Sequence, residues 1–157
     1  MATVRKSAKT MIAAPPEAVW AALDAQFLDI SAWAGGVKSS LANPATPTGM
    51  NGSAYGGRIC DVDGVGVTDE RIIDFNADNR TLTYSVHSDG LPSFVTGLQN
   101  TWTVRSDGET GSVVDVEMAA FTKGFMGMVG ALPLGRMLGK AAVGLPNDLK
   151  VHLEQDS

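Results

Sequence analysis

Glu70 is the side chain in this sequence best suited to proton transfer. It lies in a predicted strand with Ile72 on its own face, whereas Ile73 and Phe75 lie on the opposite face. The alternation therefore does not decide which face is buried. A carboxylate inside an apolar cavity can act as a general acid or base, and the alternative is a solvated carboxylate paired with a neighbouring arginine. Glu70 is a candidate catalytic residue with both interpretations open.

Strand alternation also selects side chains that could contact a ligand. Tyr84, Asn100 and Trp102 occupy the apolar faces of two predicted strands and should point inward, and Met118 lies on the apolar face of the last strand. Arg58 could hold a ligand carboxylate through two parallel hydrogen bonds, or it could pair with an acid on the next strand. For the tyrosine and the asparagine, a structural hydrogen bond is the alternative to ligand contact. We predict all five as ligand-binding residues with these alternatives open.

The other reactive side chains form no known catalytic or metal-binding pattern. His87 and His152 are far apart in sequence and fall on predicted solvent faces, so they suggest neither a metal site nor a histidine-assisted nucleophile. Cys60 is the single cysteine, which rules out an intramolecular disulfide and a cysteine metal cluster. The sequence contains no glycine-rich phosphate loop. We therefore expect neither a metal ion nor a cofactor.

The composition is typical of a soluble globular chain with an apolar interior. Of 157 residues, 44% are hydrophobic and only 18% are charged, against a usual quarter. With a net charge of -5 and scattered cations, nucleic acid is not an expected partner. The sequence has no run of about 18 apolar residues, so no membrane span is expected, and residues 1–12 lack the apolar block of a signal peptide. We expect a cytoplasmic protein with one domain over residues 1–157.

The longest apolar pattern lies at the C-terminal end and predicts a helix over residues 124–154. Pro133 and Pro146 predict a start or kink and a bend within it, and the five glycines that follow Gly124 leave gaps in side-chain cover. If a sheet packs imperfectly against this helix, an internal cavity results. The apolar face consists of residues three or four apart: Leu134, Met137, Leu138, Ala141, Leu145, Leu149 and Leu153. Three of these are predicted to bind ligand: Met137, Leu138 and Ala141.

Before this helix, the pattern changes to strands separated by turn residues. Two short helices are predicted after the first strand, one starting near Pro16 and one over residues 27–33. The predicted strands are 3–12, 37–41, 53–62, 67–76, 81–88, 95–105 and 112–121. Their short connections favour antiparallel neighbours. The sequence thus predicts an α+β fold in which a curved antiparallel sheet of about seven strands wraps around the long C-terminal helix.

Several stretches resemble the START-like or SRPBCC superfamily, which has the helix-grip fold. They are residues 12–20 with the Pro15-Pro16 pair, residues 69–72 (Asp-Glu-Arg-Ile), and residues 149–154, with Asp74, Asn79, Arg80 and Tyr84 between them. The superfamily includes polyketide cyclase and dehydrase-like proteins, lipid-binding START domains, birch-pollen-allergen-like proteins and plant abscisic acid receptors. The resemblance implies a ligand cavity between the concave face of the sheet and the long helix.

The resemblance also implies site residues. Glu70 matches an acidic position that faces the cavity in the receptor branch and joins a water network there, and Glu117 falls near a second such position. Strand alternation instead sends Glu117 to solvent. Residues 63–66 (Asp-Gly-Val-Gly) stand where the receptors carry their gate, and residues 98–100 (Leu-Gln-Asn) lack their latch motif. A hormone-receptor mechanism is therefore not expected.

Three interpretations of function follow. The first is binding of a small hydrophobic or aromatic molecule in the internal cavity. The second is an enzyme of the cyclase, dehydratase or isomerase type, acting on a polyketide-like or other apolar substrate by general acid and base chemistry through Glu70. The third is a subunit that uses the glycine-rich terminal helix as an interaction surface, for example in a homodimer. If Glu70 lines an apolar cavity, Glu70→Gln is expected to stabilise the fold or leave it unharmed.

Overall fold

The computed structural model describes residues 2–155, which form seven strands and four helical segments. The strands are β1 (Ala2–Ile12), β2 (Val37–Ala42), β3 (Gly57–Val62), β4 (Gly66–Asn76), β5 (Thr81–His87), β6 (Val95–Asp107) and β7 (Gly111–Thr122). The helices are α1 (Pro16–Leu23), a 3-10 helix (Phe27–Ala32), α2 (Gly124–Val129) and α3 (Ala131–Glu154). No helix within the described residues is both long enough and apolar enough to cross a bilayer.

The strands form one antiparallel sheet in the order β1-β7-β6-β5-β4-β3-β2. The first and last strands of the chain pair along their whole length, from Ala2 opposite Thr122 to Ile12 opposite Ser112. This pairing brings α3, which follows β7, back across β1 and β7. The predicted α+β architecture, with a curved sheet around a long C-terminal helix, is confirmed.

Helix α3 buries a single stripe of apolar side chains. Leu134, Leu138, Ala142 and Leu149 are all buried and recur at spacings that keep them on one face. Full burial of one such leucine contributes about 1.5–3 kcal/mol to folding. These residues join the main core with Trp102, so α3 is both the cover of the sheet and part of the core that supports it.

The structure divides the predicted terminal helix into two. Helix α2 ends at Val129, and Gly130 separates it from α3, where the ring of Phe94 lies so close that a Cβ on Gly130 would collide with it. Pro133 falls in the first turn of α3, where a proline is tolerated because its missing N–H would have no partner in the helix. Helix α3 continues through Pro146 to Glu154. The third predicted strand also starts later, at Gly57 rather than at Ser53.

Candidate functional site

A cavity of about 250 Å³ lies between α3 and the sheet. Side chains of β3 to β7 form its floor, α3 forms its roof, and residues of the β3–β4 and β5–β6 loops close one end. The lining residues are Ile30, Gly36, Val37, Arg58, Val62, Val65, Thr68, Glu70, Tyr84, Val86, Leu91, Leu98, Asn100, Met118, Met137, Leu138, Ala141 and Leu145. Most of these are apolar, so the cavity suits a molecule that leaves water readily.

The structure brings most of the predicted site residues together at this cavity. The predicted members among its lining residues are Arg58, Glu70, Tyr84, Asn100, Met118, Met137, Leu138 and Ala141. Sequence reasoning did not select Thr68, Val65 or Leu91. Thr68 could have been found, because it shares strand parity with Glu70, whereas the two loop residues carry no periodic signal. The roles of all these residues in ligand binding or catalysis stay predictions.

Trp102 points inward but does not line the cavity. Its side chain is 1% exposed, and its ring packs edge-on against Trp33 with 6.2 Å between the ring centroids. Residues of α1 and the 3-10 helix, including Leu23 and Phe27, surround a small void beside it. Strand alternation gave the correct face for Trp102, but this part of the sheet is covered by the N-terminal helices rather than by the cavity.

A bulge in β4 decides which side chains of that strand point inward. Its pairing with β5 shifts between Ile72 and Asp74, so Ile73 is an extra residue in the strand. Ile73 is exposed, whereas Glu70 and Phe75, which have opposite parity, are both buried. The bulge therefore explains how an odd and an even position can share one face.

Glu70 lies at the centre of a buried polar network. Its Oε1 atom accepts a hydrogen bond of 2.8 Å from Nε of Arg58, and its Oε2 atom accepts one of 2.8 Å from the hydroxyl of Thr68. The side chains of Arg58 and Glu70 are only 4% and 7% exposed. The two residues face each other directly across β3 and β4. The network combines the two sequence interpretations, because the carboxylate is both beside the cavity and paired with an arginine.

Arg58 is held on three sides. Its Nη1 atom donates a 2.7 Å hydrogen bond to the carbonyl oxygen of Phe27, and its guanidinium lies 3.9 Å from the centroid of the Phe27 ring and 4.9 Å from that of Tyr84. Burial has the largest effect on the pKa of Arg58 and lowers it, but attraction to Glu70, its hydrogen bond and smaller contributions from Tyr84 and Cys60 together outweigh burial, so the net pKa is raised. The guanidinium stays charged and forms an ion pair with Glu70.

Tyr84 and Asn100 provide a second polar group at the cavity. The side-chain amide of Asn100 donates a hydrogen bond of 3.2 Å to the Tyr84 hydroxyl. Burial raises the pKa of Tyr84, and the positive charge of Arg58 offsets part of that rise. The hydroxyl therefore stays protonated at neutral pH and can donate a hydrogen bond to a ligand oxygen. The carbonyl oxygen of Asn100 can accept a hydrogen bond in return.

Other candidate residues lie outside the cavity. Glu117 is exposed and pairs with Arg5 at 2.9 Å, so the strand parity was right and the family-based placement was wrong. Cys60 is buried next to this network, and its pKa is raised to about 11 by burial and by the negative charge of Glu70. Within residues 2–155, no group of three or more histidine, cysteine or acidic side chains could hold a metal ion.

The β3–β4 and β5–β6 loops touch each other at the end of the cavity. The Ser88 hydroxyl donates a hydrogen bond of 3.3 Å to the carbonyl oxygen of Val65, and a Cβ added at Gly90 would collide with that same oxygen. Val65 and Leu91, one from each loop, line the cavity just inside this contact. Gly90 therefore permits the two loops to meet at this end of the cavity, and a larger residue there would push them apart.

Comparisons with known proteins agree with this fold. A START superfamily protein from Mycobacterium smegmatis superposes with a TM-score of 0.78 at 14% identity, over 98% of this chain and 99% of that one. An aromatase/cyclase from Streptomyces sp. R1128 gives a TM-score of 0.64 at 15% identity, over 94% of each chain. Norcoclaurine synthase from Thalictrum flavum, solved with dopamine and hydroxybenzaldehyde, gives 0.68 at 16% identity, over 99% of this chain and 88% of that one.

At these identities the structural matches establish the shared fold and nothing more. No protein of curated function matches the sequence. The family model described as polyketide cyclase / dehydrase and lipid transport matches residues 1–149, nearly the whole chain, which also confirms the SRPBCC resemblance. The chain therefore belongs to the polyketide cyclase / dehydrase and lipid transport family.

Proposed function

We propose that the protein binds a small, mainly hydrophobic or aromatic molecule with one polar group in the cavity between α3 and the sheet. The observation that carries this proposal is a mainly apolar cavity whose few polar side chains largely pair with one another. An apolar cavity of about 150 Å³ can hold benzene. By proportion, a cavity of about 250 Å³ suits a ligand of roughly ten non-hydrogen atoms.

The polar groups of the cavity favour a neutral ligand with a hydroxyl or carbonyl oxygen. Arg58 and Glu70 neutralise each other, so a charged ligand would gain no unpaired counter-ion while losing its hydration. Tyr84 and Asn100 offer one donor and one acceptor side by side. Such a pair can orient an oxygen at the edge of an otherwise apolar molecule.

The arrangement of Glu70 favours binding over proton transfer. A general base must reach the substrate proton with a free lone pair of a carboxylate oxygen, and one lone pair on each oxygen of Glu70 already accepts a hydrogen bond, from Arg58 or from Thr68. Norcoclaurine synthase, which shares the fold, was solved with two small aromatic molecules that carry polar groups, dopamine and hydroxybenzaldehyde. This supports a ligand of that class for the cavity.

Titration with 2-naphthol tests the proposal, because this molecule has ten carbons and one hydroxyl. We expect one molecule to bind per chain with a negative heat-capacity change. Ala141→Trp should abolish binding by filling the cavity, whereas Val143→Trp, at an exposed position of the same helix, should leave it unchanged. Binding that survives in the Ala141 variant, or that is absent from the folded wild-type protein, would contradict the proposal.

Naphthalene, which lacks the hydroxyl, tests the polar contact separately. In the wild-type protein, 2-naphthol should bind more tightly than naphthalene. Tyr84→Phe should reduce this preference by roughly two- to tenfold, the value of one hydrogen bond. An unchanged preference would show that Tyr84 does not contact the ligand hydroxyl, although the ligand could still bind in the cavity.

A further inference from the structure

Helix α2 and the start of α3 present large apolar side chains to solvent. Phe125, Met128 and Leu132 are 75%, 71% and 67% exposed. We call these residues, together with Met126 and Val129, the apolar ridge; the last two are each 57% exposed. Contiguous apolar surface of this kind marks a site of interaction with a protein or a membrane.

The ridge arises because small residues hold α2 against the protein. Gly127 is buried, and a Cβ on it would lie 2.8 Å from the Thr122 hydroxyl, while the next glycine in the series, Gly130, abuts the ring of Phe94. The glycines therefore face inward and the large side chains face outward. This is the reverse of an ordinary surface helix, whose apolar face packs on the core.

The stretch of chain that carries the ridge has only positive charges. Between Met118 and Asn147 the only charged residues are Lys123, Arg136 and Lys140, although the whole chain has a net charge of -5. The stem of Lys6 lies beside Gly135 and adds a fourth cation on the β1 side of α3. A twofold dimer through the ridge would bring two such positive regions together, whereas an anionic surface would attract them.

We propose that the apolar ridge inserts into the surface of an anionic phospholipid bilayer. Apolar side chains and cations act together in such docking, because each signal alone gives only weak, reversible binding. In this arrangement the ridge enters the boundary between headgroups and acyl chains, while the lysines and the arginine contact the phospholipid headgroups.

The ridge lies close to the cavity, so docking would bring the cavity near the bilayer. Leu91 lines the cavity, and Phe94, three residues later, packs beneath Gly130 at the junction of α2 and α3. On the helix side, Met137 lines the cavity and is 42% exposed. Docking would therefore bring one part of the cavity wall near the bilayer, where a ligand would transfer between the two. This transfer rests on the proposed ligand binding, whereas the docking does not.

Co-sedimentation with vesicles tests the docking. Vesicles of phosphatidylcholine mixed with phosphatidylglycerol should bind the full chain, and binding should weaken with added salt and with phosphatidylcholine alone. The double variant F125S/M128S should bind about tenfold more weakly or worse, because it removes two large apolar side chains. The control L41S/V67S changes two residues elsewhere that are 70% and 64% exposed, and it should bind like the wild-type protein.

Further variants separate the charge contribution and the cavity from the ridge. Lys123→Gln should weaken binding to anionic vesicles about fivefold, the effect of one cation near such a surface. Ala141→Trp should bind vesicles like the wild-type protein even though its cavity is filled, so failure of ligand binding and failure of docking are distinguishable. Loss of vesicle binding in this variant would overturn the proposal, because binding would then reflect lipid uptake.

Two other results would also overturn it. One is equal binding of wild-type protein and F125S/M128S to anionic vesicles. The other is concentration-dependent self-association that F125S/M128S abolishes, without vesicle binding by the wild-type protein, since the ridge would then cover a second copy of the chain.

Discussion

Neutralising Glu70 should destabilise the protein strongly. Glu70→Gln keeps the shape of the side chain but removes the charge that faces Arg58, whose Nε atom lies 2.8 Å from Oε1 of Glu70. Both side chains are less than a tenth exposed, so water screens the pair little. A guanidinium keeps its charge at neutral pH even when it is buried, so Arg58 stays charged in the variant. Loss of one partner from such a buried pair costs about 3–5 kcal/mol.

Two further variants show whether charge is the cause. Thr68→Val removes one hydrogen bond to the carboxylate but leaves the ion pair, so it should cost less, about 1.5–3 kcal/mol. The double variant R58M/E70L removes both charges and should recover most of the stability lost in Glu70→Gln. The single variants R58M and E70L, with R58M/E70L and the wild-type protein, form a cycle that measures the coupling of the two side chains.

Urea unfolding, followed by tryptophan fluorescence, measures these free energies. The midpoint should fall in Glu70→Gln while the dependence of unfolding free energy on urea stays constant. A Glu70→Gln variant as stable as the wild-type protein would refute the argument. That outcome is the one that the sequence predicted, because an unpaired carboxylate in an apolar cavity would gain from neutralisation.

Three other predictions concern the cavity and its surroundings. Leu138→Ala and Leu149→Ala should each cost about 2–5 kcal/mol in urea unfolding, but only the first enlarges the cavity and should allow anthracene to bind. The Cys60 thiol, with its pKa raised to about 11, should react with iodoacetamide only after unfolding. Because its folded pKa exceeds the unfolded value, its contribution to stability is complete below about pH 9 and is lost as the pH rises through about 11. Gly90→Ala should push its loop away from Val65 and speed the release of 2-naphthol in stopped-flow experiments. Full thiol reactivity in the native protein, or unchanged release rates, would contradict these last two.

The fold could be predicted because its signals are local. The alternation that placed Tyr84 and Asn100 inward, and the helical spacing of Leu134, Leu138 and Leu149, depend only on neighbouring residues. A helix start was predicted near Pro133 and lies at Ala131, but the sequence did not identify Gly130 as the break, because its close contact is with Phe94, which is distant in sequence. Propensity alone placed the break at the nearby proline, which the first turn of a helix accepts.

The site was harder to predict because its geometry depends on pairing between strands. The short loop between Val62 and Gly66 sets the register that puts Arg58 opposite Glu70, so this ion pair could have been found by counting back from the turn. The contact of Val65 with the β5–β6 loop could not, since neither loop carries a periodic pattern. Trp102 shows a different limit of the sequence. Strand parity identifies the inner face of the sheet, but it does not show which element covers that face.

The bulge in β4 has a consequence for how this sequence can change in length. Ile72 pairs with Tyr84 and Asp74 with Thr83, so Ile73 is the one residue in between without a position in the ladder. Deleting Ile73 would leave a regular strand in which Glu70 and Phe75 still face inward, because their separation would fall from five residues to four. Most single-residue deletions in a strand turn half of it inside out. At this point the gene can lose one codon and keep both the core and the cavity wall.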